Sequence, residues 1–362
     1  MSGAGESGPD TDANRPVFDG HNDTLLAIGT GPDRGGRPFD VRSDEGHLDL
    51  PRANDAGYGG GMFAIWVPNS ILDRPRDTAD GYEIPLAPRI PTARAKRFTY
   101  DRLADIHRLS RRFADTFEVV GTPEELRSGL RSDSLIAVPH LEGAAAIEPD
   151  CSNLDLLYRA GVRSIGLTWS RPNAFGRGVP FRYPATPDIG EGLTDAGRDL
   201  VRACNERGIL LDLAHLNAAG FWDVEELTTD PLVVSHTGVH ALAPTTRNVT
   251  DDQLDAVEES GGLVGIQFGV ENLRADGDRN PDTPISRIVD HITYVADRIG
   301  IDHVGLGSDF DGCTVPAAIG DVTGLPLVFD AMEERGFGPD ARSRIARKNW
   351  VRVLSDTWTS SS

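Results

Sequence analysis

The sequence predicts an α/β fold: a single-domain (β/α)8 TIM barrel with its working residues at the C-terminal ends of the strands. Two observations predict it. Short apolar runs alternate with longer amphipathic stretches, the pattern of repeated strand–helix units, and eight such runs occur in 362 residues, which points to a closed barrel more than to the alternative, an open doubly wound sheet. In addition, polar residues able to do chemistry follow directly after several of these runs, where a barrel gathers its loops into one mouth.

The eight predicted strands are Pro16–Asp19, Met62–Val67, Leu135–Pro139, Ser164–Thr168, Leu210–Ala214, Leu232–Ser235, Leu263–Phe268 and His303–Gly307. Helices are expected between them. Thr122–Leu130 opens on Thr-Pro-Glu-Glu, where the threonine can cap and the acids suit a helix N-terminus. Thr194–Gly208 starts on Thr-Asp and stops at Gly208, a C-cap residue. Ile285–Ile299 and Pro339–Leu354 have helical spacing. The stretch from Pro68 to Ala95, rich in Pro, Arg and Asp, is too long for a minimal strand–helix connection; it is expected to cover the mouth or build a subunit contact. Residues 1–15 read as a flexible acidic tail, 16–355 as the barrel domain and 356–362 as a polar tail.

Composition narrows the class. There is no long apolar run of the kind that spans a membrane and no apolar stretch near the N-terminus of the signal-peptide kind, so a cytoplasmic protein is expected. The three cysteines, Cys151, Cys204 and Cys313, are far apart and odd in number, which argues against a disulfide framework or a cysteine zinc site. A net charge of -20 would repel nucleic acid and anionic membranes. The basic residues are arginines apart from Lys96 and Lys348; this bias, with the excess of Asp, suits a salt-rich cytoplasm, and a halophilic host is expected.

The residues beyond the strand ends carry the chemistry. The first strand leads into Asp19-Gly20-His21-Asn22-Asp23, and His21 and Asp23 share a face if the chain stays extended. The third leads to His140-Leu141-Glu142, the fifth to Asp212-Leu213-Ala214-His215, the sixth to Ser235-His236, and the eighth to Ser308-Asp309-Phe310-Asp311. One histidine at a strand end is ordinarily a hydrogen-bonded core residue. The coincidence of His21, Asp23, Glu142, His215 and His236 at equivalent places on different strands predicts a metal site, and imidazole with carboxylate suits zinc. Two ions close together need a bridging group with two donor atoms. Neither lysine falls at a strand end to be carbamylated for that role, which leaves Glu142 as the natural bridge. His47, His107, His291 and His303 are expected to be structural, as is His140, while His240 is open. Asp19 and Asp212 are expected to orient histidines rather than bind metal.

These stretches resemble the membrane (renal) dipeptidase family of zinc metallopeptidases, family M19. The resemblance rests on Asp19-Gly-His-Asn-Asp23, His47-Leu-Asp-Leu-Pro-Arg52, His140-Leu-Glu-Gly143, Asp212-Leu-Ala-His215, Ser235-His236, Arg247-Asn-Val249 and Gly307-Ser-Asp-Phe-Asp-Gly312, which run in family order over nearly the whole chain. It implies a homodimeric enzyme with two Zn2+ per chain, one held by His21, Asp23 and Glu142, the other by Glu142, His215 and His236. It also implies hydrolysis of dipeptides, including those ending in a D-residue, by a hydroxide-like water bridging the metals. Asp309 would be the catalytic proton carrier and Arg247 the partner of the substrate's free carboxylate.

One departure stands out. Where members of the family carry a His after the fourth strand, in a Leu-Thr-His context, this chain has Leu167-Thr168-Trp169. Trp169 can donate through its indole N–H but cannot take a proton, and Asn173, Arg171 or Arg177 could supply a donor instead. Trp169 and Asn173 are therefore the substrate-binding candidates in that segment. The departure keeps two alternatives open: amide, lactone or N-acyl amino acid hydrolysis on the same scaffold, and a non-catalytic metal-binding relative.

Overall fold

The computed structural model describes residues 16–28, 36–69 and 74–359. Eight parallel strands are hydrogen-bonded in chain order: β1 (Val17–Asn22), β2 (Tyr58–Trp66), β3 (Leu135–Glu142), β4 (Ser164–Gly166), β5 (Leu210–Asp212), β6 (Val233–Thr237), β7 (Leu263–Ile266) and β8 (Val304–Leu306). Every predicted strand is present. The strands are near-continuous buried runs because they pack on both faces, lumen and helix layer. A short extra strand, Phe117–Val119, pairs with the start of β3 outside the main order.

The ring closes between β8 and β1 through the residues that follow them. The N–H of Asp309 donates to His21 O at 3.0 Å and that of Asp23 to Phe310 O at 2.8 Å. Asp19 staples this seam, accepting from the N–H and hydroxyl of Ser308 at 2.7 and 2.6 Å. It reaches only the backbone N–H of His21, at 3.4 Å, so it orients the chain rather than the imidazole expected from sequence.

The predicted helix signals operate. Thr122 and Thr194 accept from the N–H groups of Glu125 and Gly197 and start helices Pro123–Gly129 and Asp195–Asn205. The final helix, Asn349–Thr359, runs past the expected domain boundary at 355. The reason is packing: Trp350, Val353, Leu354 and Trp358 join Phe18, Met62, Ile136, Val138, Leu210, Val233 and Leu263 in one cluster. Side chains from six strands can meet one another only inside the barrel, so this helix closes one end of it and sends Trp350 into the interior. Room for the Trp350 indole comes from glycines, since a Cβ at Gly20 or Gly305 would meet its ring at 2.1 or 2.6 Å. Its N–H donates to Leu306 O at 2.9 Å. The expected tails at 1–15 and 360–362 lie outside the described residues.

The long stretch after β2 covers the mouth. Arg76–Asp77 and Tyr82–Ile84 form a small antiparallel sheet with Phe181–Tyr183. Ile84, Pro85, Ala87 and Phe181 face the cavity below. Among the described residues no helix is long and apolar enough to cross a membrane, and all three cysteines are free thiols.

Candidate metal centre

The predicted ligands arrive from the ends of four strands, His21 and Asp23 sharing the first, and not always in extended chain. His21 lies within β1, whereas Asp23 follows it with φ -99° and ψ 18°. The turn keeps the two groups together, with His21 Nε2 3.7 Å from Asp23 Oδ2. Glu142 ends β3 and His236 lies in β6. His215 stands three residues beyond β5 with φ 64°, and Asp309 follows β8 with φ 61°. Left-handed backbone at non-glycine residues is uncommon and tends to gather at functional sites. Gly312 has a related role, because a Cβ there would meet Asp23 Oδ2 and Asp309 Oδ1 at 2.2 Å each. The bare glycine lets the two carboxylates share one wall.

The donors converge. Glu142 divides its oxygens: Oε2 lies 3.9 Å from His21 Nε2, while Oε1 lies 2.9 Å from His215 Nε2 and 3.9 Å from His236 Nε2. The Nε2 atoms of His215 and His236 are 3.1 Å apart, a separation that calls for a proton or a cation between them. Their other nitrogens are held by serine hydroxyls, His215 Nδ1 by Ser170 at 2.9 Å and His236 Nδ1 by Ser235 at 2.8 Å. The Ser235 hydroxyl donates to Asp212 at 2.6 Å, so it accepts the Nδ1–H of His236 and leaves Nε2 as a lone pair. Asp212 thus orients His236 through Ser235. Both ring nitrogens of His21 and Oδ1 of Asp23 are buried without a hydrogen-bond partner among the described residues. Buried polar atoms are nearly always paired. Unpaired N and O donors around a shared carboxylate fit divalent zinc.

Electrostatics point the same way. Burial would hold the His21 imidazole neutral, but Asp23, Glu142 and Asp309 outweigh it and push it up to about 10. Burial and the charge of Asp23 raise Glu142 well above the usual carboxylate range. Burial, with Asp23 opposed by His21 and Arg247, lifts Asp309 to about 7. His215 and His236 are held neutral by burial and by the cations around them, Arg247 and His21. Crowded carboxylates beside neutral imidazoles form a field that a divalent cation would neutralise.

The remaining predicted residues separate. Arg247 is buried, lines the cavity of about 290 Å³ above the donors, and donates to His236 O at 3.3 Å. Trp169 also lines it, packed on Trp66 at 4.9 Å and near His215 at 5.7 Å. Arg171 lies behind these two indoles, 5.1 Å from the Trp169 ring. Asn173 does not reach the cavity. Its amide donates to Leu167 O at 2.6 Å and accepts from the N–H groups of Phe175 and Gly176, which commits it to closing its own loop. Asp311 is structural, accepting from Thr24, Arg37 and the His47 N–H at 2.9, 2.7 and 2.6 Å. His140 sits between Ser164 and Asp212, away from the cavity lining, and His240 bonds to Ala185 O at 3.0 Å. Sequence reasoning missed Gln267 and Glu271, which line the cavity after β7. The available signal was Gln267, a lone polar residue near the end of an apolar run.

The profile of the membrane dipeptidase family, peptidase family M19, matches residues 11–361. A solved metallopeptidase from Rhodobacter sphaeroides, liganded with a phosphinate mimic of the dipeptide L-Ala-D-Ala, is 40% identical and superposes with a TM-score of 0.87, covering 95% of this chain and 100% of its own. A second solved family M19 dipeptidase gives the same identity and TM-score, with 95% and 99% covered. An uncharacterised Klebsiella pneumoniae protein from the pqqA 5′ region is 45% identical over 229 residues, 63% of this chain and 84% of its own.

Proposed function

The chain belongs to the membrane dipeptidase family and is a metal-dependent dipeptidase; from that premise we propose that it uses two zinc ions and accepts dipeptides with a C-terminal D-residue. The observation that carries the two-metal reading is the division of Glu142 between His21 on one oxygen and His215 and His236 on the other. His21, Asp23 and Glu142 would hold one ion, Glu142, His215 and His236 the second. Lys96 and Lys348 are tied to Glu148 and Asp340, away from any bridging position. When bound, the metal pair supplies an acidified water and a Lewis acid for the scissile carbonyl.

The chain's own groups do the rest. Asp309 lies on the wall beside Asp23, and its lifted proton affinity suits a group that takes a proton from the attacking water and returns it to the leaving amine near neutral pH. Arg247 has no carboxylate ion-pair partner among the described residues and donates only to His236 O there, so its guanidinium would fork onto the substrate's free carboxylate. Trp169 takes the sequence position of the family's histidine and lines the cavity; its indole N–H would be a donor toward the scissile carbonyl oxygen. The flap over the mouth limits the entry of bulk water.

The test is an assay of purified, metal-quantified protein on L-L and L-D dipeptides with free and amidated C-termini. Cleavage of both stereochemical classes with strong loss on amidation is expected. Equal rates on amidated forms would refute the role of Arg247. No cleavage of any dipeptide with both metals present would favour another metal-dependent hydrolysis, the reading that Trp169 keeps open.

A further inference from the structure

Arg247, Glu271 and Asp309 come from three successive segments around the mouth, those following β6, β7 and β8. Under the dipeptidase reading, Asp309 protonates the amine of the C-terminal residue and Arg247 pairs with its carboxylate. The C-terminal residue must therefore lie between them, against whatever follows β7. The turn after β7 is fastened to both neighbours. The N–H groups of Phe268 and Val270 donate to Ser308 O and Thr314 O at 3.1 and 3.0 Å, on either side of Asp309. On the other flank, Asn248, next to Arg247, donates to Asn272 O at 2.9 Å. Glu271 is thereby fixed in the wall between the two substrate-handling groups.

Two polar groups of this wall have no hydrogen-bond or ion-pair partner among the described residues. Gln267 is 1% exposed and its Nε2 has no partner among the described residues, although it lines the cavity. Half-buried Glu271 lines the same cavity and has no hydrogen-bond or ion-pair partner among the described residues. Asp23, Glu142 and Asp309 are committed to the metal centre and proton transfer, and Asp311 is tied to Arg37. Glu271 is thus the cavity's uncommitted carboxylate. In an eight-stranded barrel β7 lies across from β3, and the side around β3 is apolar, built from Trp66, Trp169, Phe181 and Ile84. Arg279, at the outer rim, has its guanidinium over the Tyr82 ring at 4.8 Å.

We propose that Glu271, with the Gln267 amide beside it, is the specificity determinant for the C-terminal residue of the substrate, selecting a cationic side chain there, while the apolar wall takes an uncharged N-terminal residue. This rests on the dipeptidase reading and narrows its substrate class. A carboxylate facing a lysine-like ammonium in a partly enclosed cavity gives a charge-assisted hydrogen bond that an isosteric alkyl chain cannot make. Turned over, the Gln267 amide presents its carbonyl oxygen where Nε2 stands without a partner among the described residues, and that oxygen can accept a second ammonium proton.

The zinc-loaded full chain would be assayed on alanyl-lysine, alanyl-norleucine and alanyl-glutamate, in whichever C-terminal configuration it cleaves. The expected kcat/KM for the lysine peptide is at least about tenfold above that for norleucine. Glu271→Gln should bring that ratio close to one, and Glu271→Lys should move the preference to the glutamate peptide. A ratio near one in the unaltered protein, or a preference for glutamate, which would assign selection to Arg279, overturns the proposal. So does an equal loss on the lysine and norleucine peptides in Glu271→Gln, because the carboxylate would then serve the shared backbone of the substrate. Failure to cleave all three peptides overturns the parent reading and this proposal with it, whereas the other results touch this one alone.

Discussion

His291 provides a proton-linked latch for the two loops that carry Arg247 and Glu271. It lies fully buried on the helix Ser286–Ile299. Its Nδ1 accepts the N–H of Val239 at 2.8 Å, just past β6, and its Nε2 faces Leu273 O at 3.2 Å, at the end of the short helix bearing Glu271. Only the neutral ring with Nε2 protonated satisfies both, and burial holds it at about 4 against 6.5 for a free histidine. The unfolded chain therefore takes up this proton first as pH falls. The contribution is complete above about pH 6.5 and is lost progressively as pH drops toward 4. At 1.36 kcal/mol per decade of proton affinity the full loss is about 3 kcal/mol, and about 2 kcal/mol of it falls between pH 7.5 and pH 5. His291→Gln supplies an acceptor oxygen and a donor N–H but does not titrate. Urea unfolding of both proteins at these two pH values, under identical metal conditions, should show the unaltered protein losing about 2 kcal/mol more than the variant. Parallel losses, within about 0.5 kcal/mol, would refute the linkage.

Asp309→Asn should lower kcat by at least about a hundredfold with metal content unchanged; retained turnover measured beside metal analysis would reject proton transfer by Asp309. Because burial and Asp23 raise the proton affinity of Glu142, and Asp23, Glu142 and Asp309 push His21 up to about 10 against burial, zinc binding should release protons. Calorimetric titration in buffers of different ionisation enthalpy should give buffer-dependent heats, and identical heats would contradict this. Trp350→Ala removes the indole that fills the barrel interior and should cost about 3–5 kcal/mol in urea unfolding, against little change if the interior were not packed on it. If the acidic surface reflects a salt-rich host, thermal unfolding across a KCl series should show clear loss of stability at low salt; a flat series would remove that expectation.

The sequence determined the strand order and the identity of the converging donors, because both depend on local patterns. Apolar runs mark strands buried on two faces, and a histidine or carboxylate just past such a run reaches the mouth of any barrel built from them. The two-residue repeat was a poorer guide to how they converge. Asp23, His215 and Asp309 reach the centre from turns, two of them in left-handed backbone, and these conformations are set by contacts with distant segments such as Gly312 against Asp23. Asn173 shows the same limit from the other side: its residue type suits a substrate donor, but its amide is consumed by a loop that no spacing announces. The chain end differed for a similar reason, since Trp358 in a polar-looking tail belongs to the buried cluster built on residues of six strands. Glu271 and Gln267 follow a run with no ligand motif and come to line the cavity only because β7 is held between the segments that bring Asp309 and Arg247. What is local in chemistry was legible in the chain, and what depends on which distant groups face one another was decided by the closed barrel.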